Sequence, residues 1–223
     1  MKFENTEVFN FKGALKGMRN PKESWNKSDS HYHTLEDYGI EFNNENVSWT
    51  PYLIGENDMK LAQTLILAGT EHSKFLRQIF VSVDITAPLY WYKEFDTYKI
   101  NTTANSTSTM HKITSRPITI ECFETDDFWA AVPNNQFIEA HINFCEELRQ
   151  KYLETKDIRY WKELIRWLPE SWLQTRTWTA NYAVLRNMYF QRKDHKLSEW
   201  HTFCNWIESL PYAKELITIT KGE

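Results

Sequence analysis

The sequence predicts an α/β protein, and two patterns along the chain predict it. Within residues 76–86, Val81, Val83 and Ile85 are apolar while the residues between them are polar. A period of two places apolar side chains on one face and polar ones on the other, which is typical of a strand. The segment PITIECF, residues 117–123, repeats the alternation, and the chain after it has mostly helical periodicity. We therefore expect a central sheet that includes both segments, with helices around it.

The remaining elements follow one another without a linker, so we expect a single domain over residues 1–223. Residues 1–56 are polar and turn-rich and are expected to form an irregular N-terminal extension. Asn57 or Asp58 can cap the first helix, and Gly69 is placed to end it. Helices are predicted, in chain order, over residues 59–68, 89–99, 135–154, 157–167, 177–193 and 197–208.

Composition and charge exclude several classes of protein. The net charge of −4 and the isoelectric point near 6.0 give no overall positive field, so no DNA or RNA partner is expected. The chain has no apolar run of membrane-spanning length and no apolar signal-peptide core, so we expect no membrane partner and a cytoplasmic location. Aromatic residues make up 15% of the chain, with ten Trp, and such residues suit subunit interfaces or flat ligands.

Cysteine and histidine give no strong signal for a metal or a nucleophile. Cys122, Cys145 and Cys204 lie far apart, and an odd number favours reduced, mostly buried thiols over disulfides. His31 and His33 could face a metal from one strand, but no third ligand is evident, and a structural or exposed pair is favoured. His141 lies on the apolar stripe of a predicted helix, which favours a core histidine whose ring is hydrogen-bonded.

The segment NTTANSTSTMHK, residues 101–112, is unusually rich in hydroxyl and amide side chains. Such a segment can be a solvated turn, or it can be the wall of a pocket that holds a phosphate through hydroxyls and backbone N–H groups. The common local motifs for dinucleotide, phosphate and zinc binding and for serine hydrolases do not occur in the sequence.

Two blocks of residues resemble the flavin-dependent thymidylate synthases, over about residues 57–205. In that family a strand ends in Ala-Pro, and an Arg-Gln pair, an Arg-His-Arg triplet and a serine follow it. The matching positions here are Ala87-Pro88, Lys93-Glu94, Thr97-Tyr98-Lys99 and Thr107. The second block of the family is Leu-Pro, Trp-Thr-x-Asn and an arginine eleven residues past that asparagine. Its matches are Leu168-Pro169, the stretch from Trp178 to Asn181, and Arg192.

The resemblance implies a mainly antiparallel central sheet flanked by helices, and a homotetramer with binding sites between its subunits. The residues that it implies for binding a deoxyuridylate-like nucleotide are Arg192, Lys93, Glu94, Ser106, Thr107, Ser108 and Arg166, the last one place out of register. Those that it implies for the cofactor are Gln78, Thr97, Tyr98, Lys99 and Asn181. It assigns no catalytic residue and no metal. Because eleven residues are close to three helical turns, Asn181 and Arg192 are expected on one face of a helix.

Most of the differences from the family motifs lie at positions that contact the flavin in that family. Gln78 stands where the family has a histidine, and Thr97 and Tyr98 replace an arginine and a histidine. Ala183 replaces a further arginine. Lys99 keeps a positive charge but lacks the planar fork of arginine. We therefore expect FAD binding to be weak or absent, because each charge-assisted hydrogen bond that is lost costs on the order of 1.5–3 kcal/mol.

Three functions are consistent with these residues. The first is a divergent thymidylate synthase-like protein that binds a nucleotide, with methylation altered or lost. The second is a non-catalytic protein that sequesters or senses a nucleotide-like ligand. The third is a structural or interaction protein that uses its aromatic surface. The ligand retained by the purified protein would distinguish them.

Overall fold

The computed structural model describes residues 1–32, 47–48, 52–125 and 135–221 of the chain. Two short strands, β2 (His31–Tyr32) and β4 (Tyr52–Leu53), pair antiparallel in a small sheet of their own. The five strands of the main sheet lie in the spatial order β3 (Val47–Ser48), β1 (Lys2–Phe9), β5 (Phe80–Pro88), β7 (Leu173–Asn181) and β6 (Thr103–Ser106). The edge pair of β3 and β1 runs parallel. The architecture is nonetheless a mixed α/β fold with an antiparallel sheet flanked by helices, which confirms the predicted fold class.

The described part of the chain contains eight α-helices. They are α1 (Phe11–Arg19), α2 (Glu56–Ala68), α3 (Leu89–Phe95), α4 (Thr109–Lys112), α5 (Asn135–Thr155), α6 (Ile158–Trp167), α7 (Tyr182–Arg192) and α8 (Ser198–Glu208). The predictions for α5, α6 and α8 are confirmed to within one residue at the described ends. Among the described residues, no helix is long and apolar enough to cross a membrane.

Helix α2 shows how a remote residue completes a helix that the sequence predicts. Gly69 ends it, as expected, with a φ of 122° that disfavours any side chain. The start differs from the prediction, because neither Asn57 nor Asp58 is the cap. Instead the Asp29 carboxylate accepts hydrogen bonds from the backbone N–H groups of Asn57 (2.8 Å) and Asp58 (3.1 Å). A carboxylate at this end also interacts favourably with the helix dipole.

The chain separates into two compact units. The first comprises Met1–Lys2, Ile85–Tyr98 and Asn105–Arg176, and the second comprises Phe3–Asp84, Lys99–Ala104 and Thr177–Glu223. In the first unit an apolar core joins α5, α6 and the segment before them. Its buried members are Ile113, Ile118, Cys122, Phe123, Ile142, Cys145, Leu148, Leu164 and Trp172.

The second unit has an aromatic core, which contains three of the ten tryptophans of the chain. Trp178 and Trp200 are buried beside Phe203, and Trp206 stacks on Phe3 with ring centroids 5.0 Å apart. The Trp206 indole also donates a hydrogen bond to the Thr6 hydroxyl. These tryptophans therefore serve the interior of the chain itself, and not a subunit interface or a ligand as the composition suggested.

The N-terminal region differs from the prediction of an irregular extension. Residues Lys2–Phe9 form β1 inside the main sheet, and α1 follows directly. The helix is amphipathic, since Phe11, Leu15 and Met18 are buried on one side. Residues 33–46, including His33, lie outside the described residues.

Two predicted strands and one predicted helix also require correction. Residues Lys74–Gln78 form a 3₁₀ turn, so the strand predicted from residue 76 begins at Phe80. The strand predicted over residues 117–123 is a turn as well, because the N–H groups of Cys122 and Phe123 bond to carbonyls three residues back. Only Phe123 makes an isolated bridge there, with Trp172.

The third correction concerns the helix predicted over residues 177–193. Its first five residues belong to β7, and the helix begins only at Tyr182. The buried side chains of Trp178 and Ala180 alternate with the exposed Thr177 and Thr179, so the local pattern is that of a strand. Helix α3 is likewise shorter than predicted, because it ends at Phe95 and a turn follows at residues 96 and 97.

Candidate functional site

The hydroxyl-rich segment is held in place by hydrogen bonds from β7. Thr107 donates its backbone N–H to the Thr175 carbonyl (2.9 Å), and its hydroxyl accepts from the Thr175 N–H (3.3 Å). The Gln174 side chain donates to the Thr107 carbonyl (2.9 Å). Ser106 and Thr107 are exposed, and the Ser108 hydroxyl caps the short helix α4 by accepting from the His111 N–H. These bonds fix Thr107, the centre of the segment, against β7.

The turn after α3 carries the residues that match the family's flavin-binding triplet. Thr97 is exposed, and its hydroxyl donates to the Glu94 carbonyl in the preceding turn (2.7 Å). The backbone N–H of Tyr98 bonds to the Phe95 carbonyl (3.1 Å). Lys99, which is exposed, is the one positively charged residue of the three. The hydroxyl of Thr97 is therefore already engaged with its own turn.

The two cations that the resemblance places in the first unit both form surface ion pairs. Lys93 contacts Glu170 at 2.7 Å, and Arg166 contacts Glu163 at 2.8 Å. All four side chains are at least a third exposed, so water screens both pairs and each contributes little to stability. Either cation can exchange its carboxylate for a ligand phosphate at small cost.

Sequence reasoning missed Arg176 and Gln174, which contact both of these regions in the first unit. The Arg176 guanidinium donates to the Asp96 carboxylate (2.6 Å) and to the Gln174 side chain (2.9 Å). It also lies over the Tyr92 ring, 3.7 Å from the centroid. The signal in the sequence is weak, because it consists only of two polar residues on the inward face of β7.

In the second unit, Asn181 and Gln78 are brought close together. The Tyr182 N–H donates a hydrogen bond to the Ile79 carbonyl (3.0 Å). Asn181 directly precedes Tyr182 and Gln78 directly precedes Ile79, so the two candidate residues lie on either side of this bond. The Asn181 side chain is buried, with 4% exposure, and caps α7 by accepting from the Val184 N–H (3.0 Å). Asn181 therefore precedes the helix, and the prediction that it shares a helix face with Arg192 is wrong.

Arg192 lies in the last turn of α7, where its guanidinium stacks over the Trp200 ring at 4.6 Å. The side chain is half-buried, while its neighbour Lys193 is exposed. Stacking on the buried indole holds the guanidinium in a defined orientation, which suits the recognition of a planar or anionic group.

Gln78 lines a cavity of about 580 Å³ in the second unit, a volume within the range of small-molecule sites. The apolar part of its lining consists of Met18, Leu61, Leu65 and Phe75. Its charged and polar lining includes Arg19, Lys22, His72 and Lys74. Arg19 is neutralised by the buried Asp58 (2.5 Å), and Lys74 contacts Glu71 (3.3 Å).

The thiols have the properties that the sequence predicts. All three cysteines are free and buried. Burial raises the pKa of Cys145 and of Cys204 to about 11, so both remain protonated near neutral pH and are poor nucleophiles. The His141 ring is hydrogen-bonded to the Trp167 carbonyl (2.8 Å), as expected for a structural histidine. Within residues 1–32, 52–125 and 135–221, no group of three or more metal-binding side chains is present.

No family model matches the sequence, and no curated protein matches it. Solved structures do match. One is the flavin-dependent thymidylate synthase of Helicobacter pylori complexed with FAD and dUMP, with a TM-score of 0.66, 15% identity, and 98% of each chain covered. A second structure of that enzyme with the same ligands gives a TM-score of 0.67 at 16% identity, covering 98% of this chain and 97% of that one. The match extends beyond the predicted residues 57–205, and the chain therefore has the fold of the flavin-dependent thymidylate synthases.

Proposed function

We propose that this protein binds a deoxyuridylate-like nucleotide in a pocket between the subunits of a homotetramer, and that its methylation activity is altered or lost. The similarity to enzymes crystallised with FAD and dUMP supports the proposal, because the match spans nearly the whole chain. Ligand sites in related folds depend on particular side chains, so the residues of this chain must carry the rest of the argument.

The observation that carries the proposal is the ordered hydroxyl segment. Thr107 is the residue that the sequence resemblance matches to the family's phosphate-side serine, and it is fixed by three hydrogen bonds to β7. Exposed hydroxyls on a fixed backbone can hold a phosphate without a large entropy cost on binding. Lys93 and Arg166 are exposed cations of the same unit, each paired with a glutamate that a phosphate could displace.

The residues that match the family's flavin contacts support weak or absent FAD binding. Gln78 and Tyr98 are neutral, and the Thr97 hydroxyl is engaged with Glu94. The loss of two or three charge-assisted contacts reduces affinity by several powers of ten, at about 1.4 kcal/mol for each power.

The decisive experiment examines the ligand that the purified protein retains. An absorbance scan and mass spectrometry of the heat-released material should reveal a uridine-type nucleotide and little or no FAD. Calorimetric titration with deoxyuridylate should show binding, whereas turnover with methylenetetrahydrofolate, NADPH and added FAD should be low or absent. Stoichiometric FAD together with rapid thymidylate formation would show that the enzyme is intact and the proposal wrong.

A non-catalytic protein that sequesters or senses nucleotides is the second candidate, and the neutral residues at positions 78, 97 and 98 favour it. A retained nucleotide, no flavin and no turnover under any condition would establish it. The exposure of Phe137 and Trp167 favours a structural or interaction role. If the protein binds neither the nucleotide nor FAD, that role is the remaining candidate. A cytoplasmic location stays a prediction from the sequence.

A further inference from the structure

A continuous chain of side-chain contacts connects the turn after α3 with the hydroxyl segment. It runs from Asp96 through Arg176 and Gln174 to the backbone of Thr107, with contacts of 2.6, 2.9 and 2.9 Å. Asp96 directly precedes Thr97 and Tyr98, which match the family's triplet. The relay therefore joins the two regions of the first unit where the candidate residues lie.

Arg176 is held more rigidly than a surface arginine. Its guanidinium lies 3.7 Å above the centre of the Tyr92 ring, and the side chain is only 14% exposed. Tyr92 is itself fixed, since its hydroxyl donates to the carbonyls of Ile85 (2.6 Å) and Gln174 (3.2 Å). A planar fork can stack on one group and donate to two others at the same time, which a lysine cannot do.

We propose that Arg176 is a positioning residue that sets the spacing between the Thr97–Tyr98 turn and the hydroxyl segment around Thr107. It acts through Asp96 on one side and through Gln174 on the other. Its effect on affinity rests on the proposed function, in which that segment holds the phosphate of a nucleotide. The nucleotide would bind tightly only when the relay holds the donors of the Thr107 segment in place relative to the turn, because misplaced donors lose hydrogen-bond geometry steeply.

A simpler reading is that the Arg176–Asp96 pair only stabilises the packing of α3 on β7. That reading explains the ion pair, but it gives no role to the two bonds of Gln174, one to Arg176 and one to the Thr107 carbonyl. The two readings differ in a measurable way. A stabilising pair would change the unfolding midpoint, whereas a relay couples local opening at two sites that are far apart in sequence.

The test uses Arg176→Lys, which keeps the charge, and Gln174→Met, which removes both Gln174 bonds at similar volume. Arg159→Lys is the matched control, because Arg159 also pairs with an aspartate, Asp157, but is exposed at the start of α6. Hydrogen exchange is measured at the backbone amides of Thr97, Tyr98 and Thr107, with the Lys156 amide as an internal reference. Deoxyuridylate affinity is measured by calorimetry on the same samples.

Both relay variants should raise exchange about tenfold at all three amides and leave the Lys156 amide unchanged. Both should weaken deoxyuridylate binding about tenfold or more, and the double variant should be no weaker than either single one. Unchanged exchange at Thr107 in both variants would overturn the relay, as would additive losses of affinity. If the wild-type protein binds no deoxyuridylate but exchange responds as expected, the relay stands and the proposed function fails.

Discussion

At the scale of single residues, side chains that match a family motif make contacts that stabilise the fold of this chain. Asn181 matches the asparagine of the second block, yet its side chain is buried and its carbonyl oxygen caps α7. Arg192 matches the arginine of that block and packs on Trp200. A structural contact does not exclude a ligand contact, because each side chain has further donors. Mutations can separate the two contributions.

Substitution of Asn181 by alanine should destabilise the fold even without ligand. The change leaves the Val184 N–H without its acceptor, and loss of an N-cap costs about 0.5–2 kcal/mol. Urea denaturation measures this loss, with Asn187→Ala as the control at an exposed position within the same helix. Asn181→Asp should retain most of the stability, since aspartate caps as well as asparagine. Equal stability of Asn181→Ala and wild type would contradict the capping role.

Substitution of Arg192 by alanine should abolish nucleotide binding while the protein stays folded and assembled. The stacking on Trp200 contributes about 0.5–1 kcal/mol, so the loss of stability should be small compared with the loss of affinity. Calorimetry with deoxyuridylate measures the affinity, and Lys193→Ala is the control at the neighbouring, exposed cation. An unchanged affinity in Arg192→Ala would mean that the proposed nucleotide pocket is not the binding site.

At the scale of elements, a buried ion pair attaches α5 to the segment that precedes it. Arg149 and Glu146 form two hydrogen bonds of 2.7 Å within α5. Glu146 also accepts from the Ile118 N–H (2.8 Å), and Arg149 donates to the Thr114 carbonyl (3.1 Å). The pair therefore satisfies one backbone carbonyl, of Thr114, and one backbone N–H, of Ile118. The segment around them forms no strand and makes one isolated bridge, between Phe123 and Trp172.

This pair should make stability depend on pH in the acidic range. The hydrogen bonds from Arg149, and also the one from Ile118, lower the pKa of Glu146 from 4.5 to about 2, against the opposing effect of burial. Because the pKa is lowered in the folded state, the stabilisation is complete above about pH 4.5 and is lost as the pH falls towards 2. The shift corresponds to about 3 kcal/mol at most.

The measurement is the free energy of unfolding of Glu146→Gln and of the wild type at pH 7 and at pH 3. The variant should be less stable at pH 7, and the difference should shrink at pH 3. Glu139→Gln is the control on the same helix, at an exposed position. A difference that is the same at both pH values would show that the carboxylate charge has no part in attaching α5.

At the scale of the whole molecule, a homotetramer stays a prediction, and exposed apolar side chains favour it. Phe137 on α5 is 75% exposed and Trp167 at the end of α6 is 53% exposed. Large exposed apolar residues that lie together on a monomer mark interaction sites. The His141 bond to the Trp167 carbonyl places the exposed ends of these two helices beside each other.

Light scattering at micromolar concentration should give four times the chain mass of 26.7 kDa. Closed symmetric assemblies are the usual form of soluble oligomers, and sites between subunits require one. Trp167→Glu should lower the assembled fraction if this surface lies at an interface, while Arg159→Glu on the same helix should not. A stable monomer in the wild type would contradict both the tetramer and the proposed inter-subunit pocket.

The sequence by itself determined the elements with strong local patterns. The alternation from Val81 to Ile85 identified β5, the apolar stripes identified α5 and α8, and Gly69 marked the end of α2. It also identified the thiols as buried and reduced. These features depend on which face of an element is buried, and a period of two or of 3.6 residues in the sequence reports that directly. The fold resemblance was accessible in another way, through the residue types and spacing of two motif blocks that continue from one element into the next.

Only the tertiary structure determined which distant residues and elements contact one another. Residues 177–181 became the end of a strand because β7 pairs inside the sheet. The segment at residues 117–123 became a turn closed by its own backbone hydrogen bonds, with Glu146 of α5 accepting from the Ile118 N–H. Asp29 caps a helix 28 residues away, and Arg176 reaches Asp96 across 80 residues. Such partners leave no periodic trace in the sequence, because a hydrogen bond between distant residues exists only once the chain has brought them together.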